Sequence, residues 1–371
     1  MKALILSVSA GGGHKRTAEA IKNHILINSP DSEIKVLDTL RYIHPFLDMI
    51  IVGTYLNSIK IKPSLYGKLY DFTEHNTGIV LFSNIVSHIV ASSLLPLIKE
   101  FDPDIIISTH SFATGLITSL KKRKKINIPS VCVITDYAVH TFWIHANIDG
   151  YIVSNDDMLP QMVLKGVPGE IVHPLGLPVD PFFTKKDNEK KVFESLNLDP
   201  NKKTLLIMGG SLGMGKIADI YVELTKLKKD VQIIVITGSN KKLFNNLNKL
   251  KSSSTKETRI IGYTEEVNNY MCCCDLLLTK PGGLTITEAL MCNTPMAIFS
   301  PIPGQEEKNA EFLYRHNLAI ELNSSDCHEL IDSLLDDTNK LEEMKANLVK
   351  YAKPEAGNNI VLLLQKLISN S

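Results

Sequence analysis

No excess charge of either sign marks this sequence of 371 residues, in which 40 Lys and Arg balance 40 Asp and Glu. A balanced chain has no global field that gathers nucleic acid, so nucleic acid is not an expected partner, and an anionic ligand must be met by a local patch. Cysteine is sparse, and none of Cys132, Cys272, Cys273, Cys274, Cys292 and Cys327 forms a C-x-x-C pair. The adjacent Cys272, Cys273 and Cys274 diverge on a helix, which disfavours a shared metal. With no secretory leader evident, buried reduced thiols in a cytosolic protein are expected. Short-period repeats and low-complexity tracts are missing. A long run free of Asp, Glu, Lys and Arg does exist, from Ile79 to Ile98, and it has the length of a membrane span. Ser83, Asn84, Ser87, His88, Ser92, Ser93 and Pro96 load it with polar groups and proline, so it reads as a helix packed inside the protein.

What the chain has is alternation. It is too long for one ordinary core, so two domains are expected. Strand-like runs are Leu4–Val8, Ile34–Leu37, Ile105–Ser108, Val131–Thr135, Tyr151–Ser154 and Glu170–His173, separated by amphipathic stretches such as the Ala18, Ile21, Ile25 stripe. The stretch from Pro174 to Lys203, rich in Pro and charge, reads as a linker and an opening helix. The pattern restarts with Thr204–Met208, Gln232–Thr237, Arg259–Ile261, Leu276–Thr279, Met296–Phe299 and Ala319–Leu322. Continuous apolar strands between helices predict parallel sheets covered on both faces, hence two doubly wound α/β domains with a cleft between them. The expected division is 1–180, 181–352 and a closing helical segment, 353–371. The sequence does not give that segment's destination; packing back on the first domain is one option. Ligands of such sheets bind beyond the carboxyl ends of the strands.

Four turns fall at that end. The first is Gly11-Gly12-Gly13-His14. It is not G-x-G-x-x-G, and no acidic residue follows at the dinucleotide spacing, which disfavours a nicotinamide cofactor. At a helix start the dipole favours a neutral imidazole, so His14 is a candidate base, or else a plain capping residue. The second turn, Met208-Gly209-Gly210-Ser211-Leu212-Gly213-Met214-Gly215, is expected to meet a helix and offer N–H groups to phosphate. The third, Gly262-Tyr263, could present backbone groups to a flat base or be an ordinary turn. The fourth, Lys280-Pro281-Gly282-Gly283, feeds a helix carrying Thr285 and Glu288. Glu288 suits a ribose diol, unless Thr285-x-x-Glu288 is only a capping box. Gln305, Glu306 and Asn309 follow the next strand and form a polar cluster of the kind a sugar needs.

Thr135-Asp136 through His140, Trp143 and His145 places an acid, two histidines and the only tryptophan after one strand. Zinc-type spacing and a fourth ligand are lacking, so a metal is not expected. Asp102-Pro103-Asp104 mimics a manganese-binding D-x-D, but it precedes a strand and so belongs at the wrong end of the sheet.

Gly12-Gly13-His14, Asp102-Pro-Asp104, Thr135-Asp136-x-x-x-His140-x-x-Trp143-x-His145, Gly262-Tyr263, Thr279-Lys-Pro-Gly-Gly283, Thr287-Glu288-Ala289 and Pro303-Gly-Gln-Glu306-x-x-Asn309 together resemble the glycolipid-forming glycosyltransferases. That family includes bacterial diacylglycerol glucosyltransferases and plant monogalactosyldiacylglycerol synthases, and the resemblance covers nearly the whole chain. It implies a GT-B fold, a UDP-sugar donor in the second domain, an inverting reaction, and no cofactor or essential metal. By resemblance, Ser211 and the Gly282–Gly283 turn hold the diphosphate, Gly262 and Tyr263 meet uracil, and Glu288 binds the ribose. Gln305, Glu306 and Asn309 then bind the hexose, with Gly210, Lys280 and Thr285 in the same donor site. His14 or Asp136 is the base; Gly12, Gly13, His140, Trp143 and His145 form the acceptor side. The implied product is a glucosyl- or galactosyl-diacylglycerol.

An uncharged lipid acceptor implies a chain peripheral on the cytoplasmic face of the cell membrane. Pro45–Val52, Tyr55–Lys68 and the basic run Lys121–Lys125 suit an anionic lipid surface. Rival readings are an N-acetylglucosamine transferase acting on a lipid-linked peptidoglycan precursor, a UDP-hexosamine epimerase and a non-catalytic UDP-sugar sensor. Which hexose, how many are added, and the oligomeric state are not legible.

Overall fold

The computed structural model describes residues 1–9, 12–43, 67, 90–184, 189–323 and 325–370. Gly11 of the glycine loop, the Pro45–Val52 stretch, all of Tyr55–Lys68 except Gly67, and the first half of the Ile79–Ile98 run lie outside them. Among the described residues no helix is long and apolar enough to cross a membrane. Two compact units are present. One comprises Met1–Pro181, Pro303–Gln305 and Lys353–Ser371; the other comprises Phe182–Ile302 and Glu306–Ala352.

The first unit is built on six parallel strands: β1 (Lys2–Ser7), β2 (Glu33–Asp38), β3 (Ile105–Ser108), β4 (Ser130–Val133), β5 (Gly150–Ile152) and β6 (Val172–His173), in the order β2-β1-β3-β4-β5-β6. All residues of β3, β4 and β5 are buried, as strands covered on both faces require. The second unit repeats the design with β7 (Lys203–Met208), β8 (Val231–Ile236), β9 (Glu257–Ile261), β10 (Leu276–Thr279), β11 (Met296–Ile298) and β12 (Ala319–Glu321), in the order β12-β11-β10-β7-β8-β9. The alternation read from the sequence thus corresponds to two doubly wound sheets. Several strands stop before their apolar runs do. Ile134 and Val153 are buried, yet β4 and β5 have ended, and their N–H groups donate singly to Ile152 and His173 carbonyls. Burial continues past the ladder because the chain is turning into the region beyond the strand ends.

Strand order sets where a ligand can sit. In the first sheet the chain leaves β1 toward β2 on one side and later returns to β3 on the other; in the second sheet the reversal falls between β7 and β10. Helices that flank such a reversal diverge and leave a crevice at the carboxyl ends. Asp104 lies at the other end of the first sheet, where its carboxylate accepts the Lys2 N–H at 2.6 Å. The helix Ser111–Lys122 also descends to that end, because it runs antiparallel to the strands it connects. Lys121 there pairs with Asp149 and donates to Ser130 Oγ at 3.2 Å. The basic run therefore lies opposite the glycine loop, not beside it.

The closing helix, Ala356–Ser369, lies along the opening helix, Gly13–Asn28. Ile360, Val361 and Leu364 are buried, and Asn28 Nδ2 donates to Asn358 Oδ1 at 3.1 Å. Gly357 touches the His24 ring so closely that a Cβ would sit 2.3 Å from it. That ring is itself held, since His24 Nε2–H donates to the Val179 carbonyl at 3.0 Å. A methyl at Gly357 must displace the ring or separate the helices, and overpacking of this kind costs about 1–3 kcal/mol. Gly357→Ala should therefore lower the thermal midpoint measured by circular dichroism. An unchanged midpoint would mean that His24 swings clear at no cost.

Candidate active site

His14 is the second residue of the opening helix, whose N-cap, Gly12, makes no side-chain cap, with Gly13 between them. Three strand ends converge on it. His14 Nδ1 lies 2.7 Å from the Thr109 carbonyl, just past β3, and 3.0 Å from Thr135 Oγ1, past β4. The Thr109 hydroxyl donates toward Ser7 Oγ at the end of β1 and toward the His14 carbonyl, each at 3.1 Å. A carbonyl oxygen only accepts, so Nδ1 carries the proton and Nε2 carries the lone pair. Burial drives the His14 pKa down to about 4, against a smaller upward pull from the Thr109 carbonyl. The sequence argument expected a neutral ring because of the helix dipole; the ring is neutral, and desolvation is the main cause.

His110 escaped the sequence reading. It caps the helix Ser111–Lys122, with Nδ1 accepting the Phe112 N–H at 3.1 Å. Its ring meets that of His14 edge to face, centroids 4.6 Å apart, and Trp143 stands 6.3 and 6.4 Å from His14 and His110. Burial, then proximity to His14, holds its pKa well below the usual histidine value. One signal was available: His110 stands two residues past the end of an apolar strand, close to the kind of position that singled out Asp136.

Asp136 is buried, and its Oδ1 accepts from Gln305 Nε2 at 2.8 Å, both residues belonging to the first unit. His140 uses Nδ1 to accept the Phe142 N–H at 3.1 Å and so caps the short turn Thr141–Trp143. The His145 backbone is clamped by Tyr151, whose hydroxyl accepts its N–H at 2.9 Å and donates to its carbonyl at 2.8 Å. Burial lowers the His145 pKa. His14, His110 and Trp143 thus form one aromatic cluster, while the polar contacts of His140 and His145 brace the loop that carries Trp143. Among the described residues no three His, Cys, Asp or Glu side chains gather as metal ligands do.

In the second unit, the helix Gly283–Cys292 starts directly after β10, with Gly282 as N-cap and no side-chain cap. Its first N–H groups point beyond the strand end, with the positive end of the dipole. Thr285 is the third helical residue rather than the N-cap, which rules out the capping-box reading of Thr285-x-x-Glu288. Glu288 lies in the second turn, buried at 3% exposure. Lys280 is buried and ion-paired with Glu306 at 3.0 Å, and Glu306 Oε2 also accepts the Ile302 N–H at 2.7 Å. Asn309 is fully buried and donates from Nδ2 to the Pro281 carbonyl at 3.0 Å. Glu306 and Asn309 thereby hold the Lys280–Gly283 turn in shape.

Gly210 and Ser211 are not at a helix start, as the sequence reading had it. The next helix begins at Ile217, and the intervening loop folds back on itself through Gly213 N–H to Gly210 O and Met214 N–H to Gly209 O. Gly213 is locked there by φ +56° and by a Thr237 carbonyl 2.0 Å from where its Cβ would be. Gly282 and Gly262 are different. Gly282 has φ −67°, and an added Cβ would meet only Thr285 Oγ1 at 3.9 Å, while Gly262 has nothing within 4 Å. Neither backbone strain nor steric clash demands glycine at either position. Tyr263, beside Gly262, is 63% exposed.

Residues 14–179 match the monogalactosyldiacylglycerol (MGDG) synthase family, and residues 204–360 match the glycosyltransferase family 28 C-terminal domain. A processive diacylglycerol beta-glucosyltransferase of Bacillus pumilus is 32% identical over 349 residues, 94% of this chain and 90% of the relative. The chain belongs to the diacylglycerol glycosyltransferase family. Among solved structures, Acinetobacter baumannii MurG aligns with TM-score 0.64 at 15% identity, covering 98% of this chain and 99% of that one. The UDP-GlcNAc 2-epimerase of Neisseria meningitidis, bound to UDP-GlcNAc, aligns with TM-score 0.64 at 16% identity over 99% of this chain and 100% of that one. These likenesses establish the fold, GT-B, shared by proteins of different activities.

The two classes of glycine give an outcome to measure. Gly282→Ala should leave the thermal midpoint nearly unmoved, whereas Gly213→Ala should cost several kcal/mol through strain at positive φ and the Thr237 clash. Equal destabilisation of both variants would remove the distinction.

Proposed function

We propose that this chain transfers glucose from UDP-glucose to the free hydroxyl of diacylglycerol, with inversion at the anomeric carbon. The observation that carries the reading is His14: in a member of this family, an imidazole tied down at Nδ1 offers an unprotonated Nε2 beyond the strand ends. Glucose is the sugar chosen because the Bacillus pumilus relative is named a glucosyltransferase.

The steps balance with the residues available. The diacylglycerol hydroxyl gives its proton to His14 Nε2 as its oxygen attacks the anomeric carbon. The bond from that carbon to the diphosphate breaks, and the electron pair leaves with UDP. Diphosphate is already a good leaving group, so no general acid is needed. The uncapped helix start at Gly283, with Thr285 and Lys280 nearby, supplies N–H groups and positive charge for the departing phosphate. Gly282 leaves room for its approach, Ser211 and Gly210 lie on the neighbouring strand end, Glu288 takes the ribose hydroxyls, and Gly262 and Tyr263 meet the base. Asp136, held by Gln305, supports the acceptor side. Glu306 and Asn309 act by shaping the Lys280 turn, and the transfer runs without a metal. The enzyme works at the cytoplasmic membrane surface, where its acceptor resides.

Purified protein given labelled UDP-glucose and diacylglycerol vesicles should make glucosyldiacylglycerol, resolved by lipid chromatography, at a rate that EDTA leaves nearly unchanged. Transfer of another sugar, or to a lipid-linked peptidoglycan precursor instead, would displace the reading. His14→Ala should lower kcat by about 10²- to 10⁴-fold, while Glu288→Ala and Gly282→Ala weaken UDP binding in calorimetry. An intact rate in His14→Ala would favour a sensor or a different base. The pH dependence has a definite sign. The base works only when unprotonated, so kcat/KM should be flat through neutrality and fall on the acid side near pH 4, where His14 titrates. A limb near pH 6.5 would assign the base elsewhere.

A further inference from the structure

His14 and His110 stand ring to ring, but the backbone fixes them in opposite tautomers. His14 Nδ1 meets a carbonyl, that of Thr109 at 2.7 Å, so it must donate, and the lone pair is left on Nε2. His110 Nδ1 meets an N–H, that of Phe112 at 3.1 Å, so it must accept, and the proton of the neutral ring is left on Nε2. Burial keeps both rings neutral. Neither Nε2 has a protein partner among the described residues, and neither is sealed among the buried unsatisfied atoms. The edge-to-face contact at 4.6 Å between centroids therefore presents one acceptor and one donor side by side, with Trp143 flanking both.

We propose that His110 is an acceptor-recognition residue: its Nε2–H donates to the ester carbonyl of diacylglycerol next to the hydroxyl that His14 deprotonates. The inference rests on the transferase reading above. Two properties of the pair support it. A polar hydrogen held beside the base has no protein partner among the described residues, and a glycerol ester carries a carbonyl a few bonds from its free hydroxyl. A donor there fixes the acceptor's orientation, so that the hydroxyl and not an acyl chain enters against Nε2 of His14. His110 transfers no proton; it binds and orients.

The test is a cycle of protein and substrate. Wild-type enzyme is compared on diacylglycerol and on the matching dialkylglycerol, whose ether links keep the hydroxyl and lack the carbonyls. The wild type should favour the ester by about 3- to 10-fold in kcat/KM, the size of one neutral hydrogen bond. His110→Asn keeps a side-chain oxygen able to accept the Phe112 N–H, so the helix cap survives, while its shorter amide NH2 group no longer reaches the position of the imidazole Nε2. It should lose the ester preference while its thermal midpoint and UDP affinity stay unchanged. His110→Phe keeps the ring against His14 without any donor, and should lose the preference equally. If the wild type handles ester and ether alike, or if either variant keeps the preference, the assignment is wrong. If instead the wild type transfers glucose to neither lipid, it is the transferase reading itself that falls.

Discussion

One hydrogen bond organises the chemistry of the first unit, that from His14 Nδ1 to the Thr109 carbonyl. Because the partner is a backbone carbonyl, the tautomer is imposed by geometry and needs no buried carboxylate. A carboxylate there would raise the imidazole's pKa and carry its own desolvation cost. The bond exists only because β1 and β3 are neighbours, so that the turn after one strand reaches the turn after the other. The reversal of strand order thus both opens the crevice and closes the contact that fixes the His14 tautomer.

The second unit solves a different problem, that of holding the Lys280–Gly283 turn in a fixed shape. Its means are a buried lysine neutralised by Glu306, an asparagine beneath the Pro281 carbonyl and a helix start without a cap. Removing one member of a buried ion pair costs about 3–5 kcal/mol, since the other is left charged and unpaired, so the Lys280 turn is stiff. Stiffness matters to the proposed reaction, because N–H groups that are fixed in advance need no reorganisation as charge develops. The same unit separates its glycines by job: those of the Gly209–Gly215 loop permit the fold, whereas Gly262 and Gly282 leave surface bare.

The GT-B frame does not by itself decide the reaction. Proteins at 15% and 16% identity share it with the chain over nearly full length, one of them an epimerase. At the strand ends of the first unit this chain carries a histidine pair held in opposite tautomers.

All twelve strands described, their parallel arrangement and the position of the glycine turns were legible in the chain, because the central strands, buried on both faces, must be written as continuous apolar runs, and the edge strands keep shorter apolar stretches between turn residues. The placement of the D-x-D segment at the amino end followed from the same logic. Local pattern could not give strand order, so it missed that Thr109 and His110 would lie against His14, 95 residues away in sequence. It placed the Ser211 loop at a helix start, since the positive-φ glycines that fold it back look the same as phosphate-binding ones. It read Thr285 as a possible cap because the helix boundary depends on where β10 ends. It did not foresee that Glu306 and Asn309 would be turned inward to hold a turn. Composition and periodicity determined which elements form; only the tertiary structure decided which strand ends meet, and so which nitrogen of each histidine bears the proton.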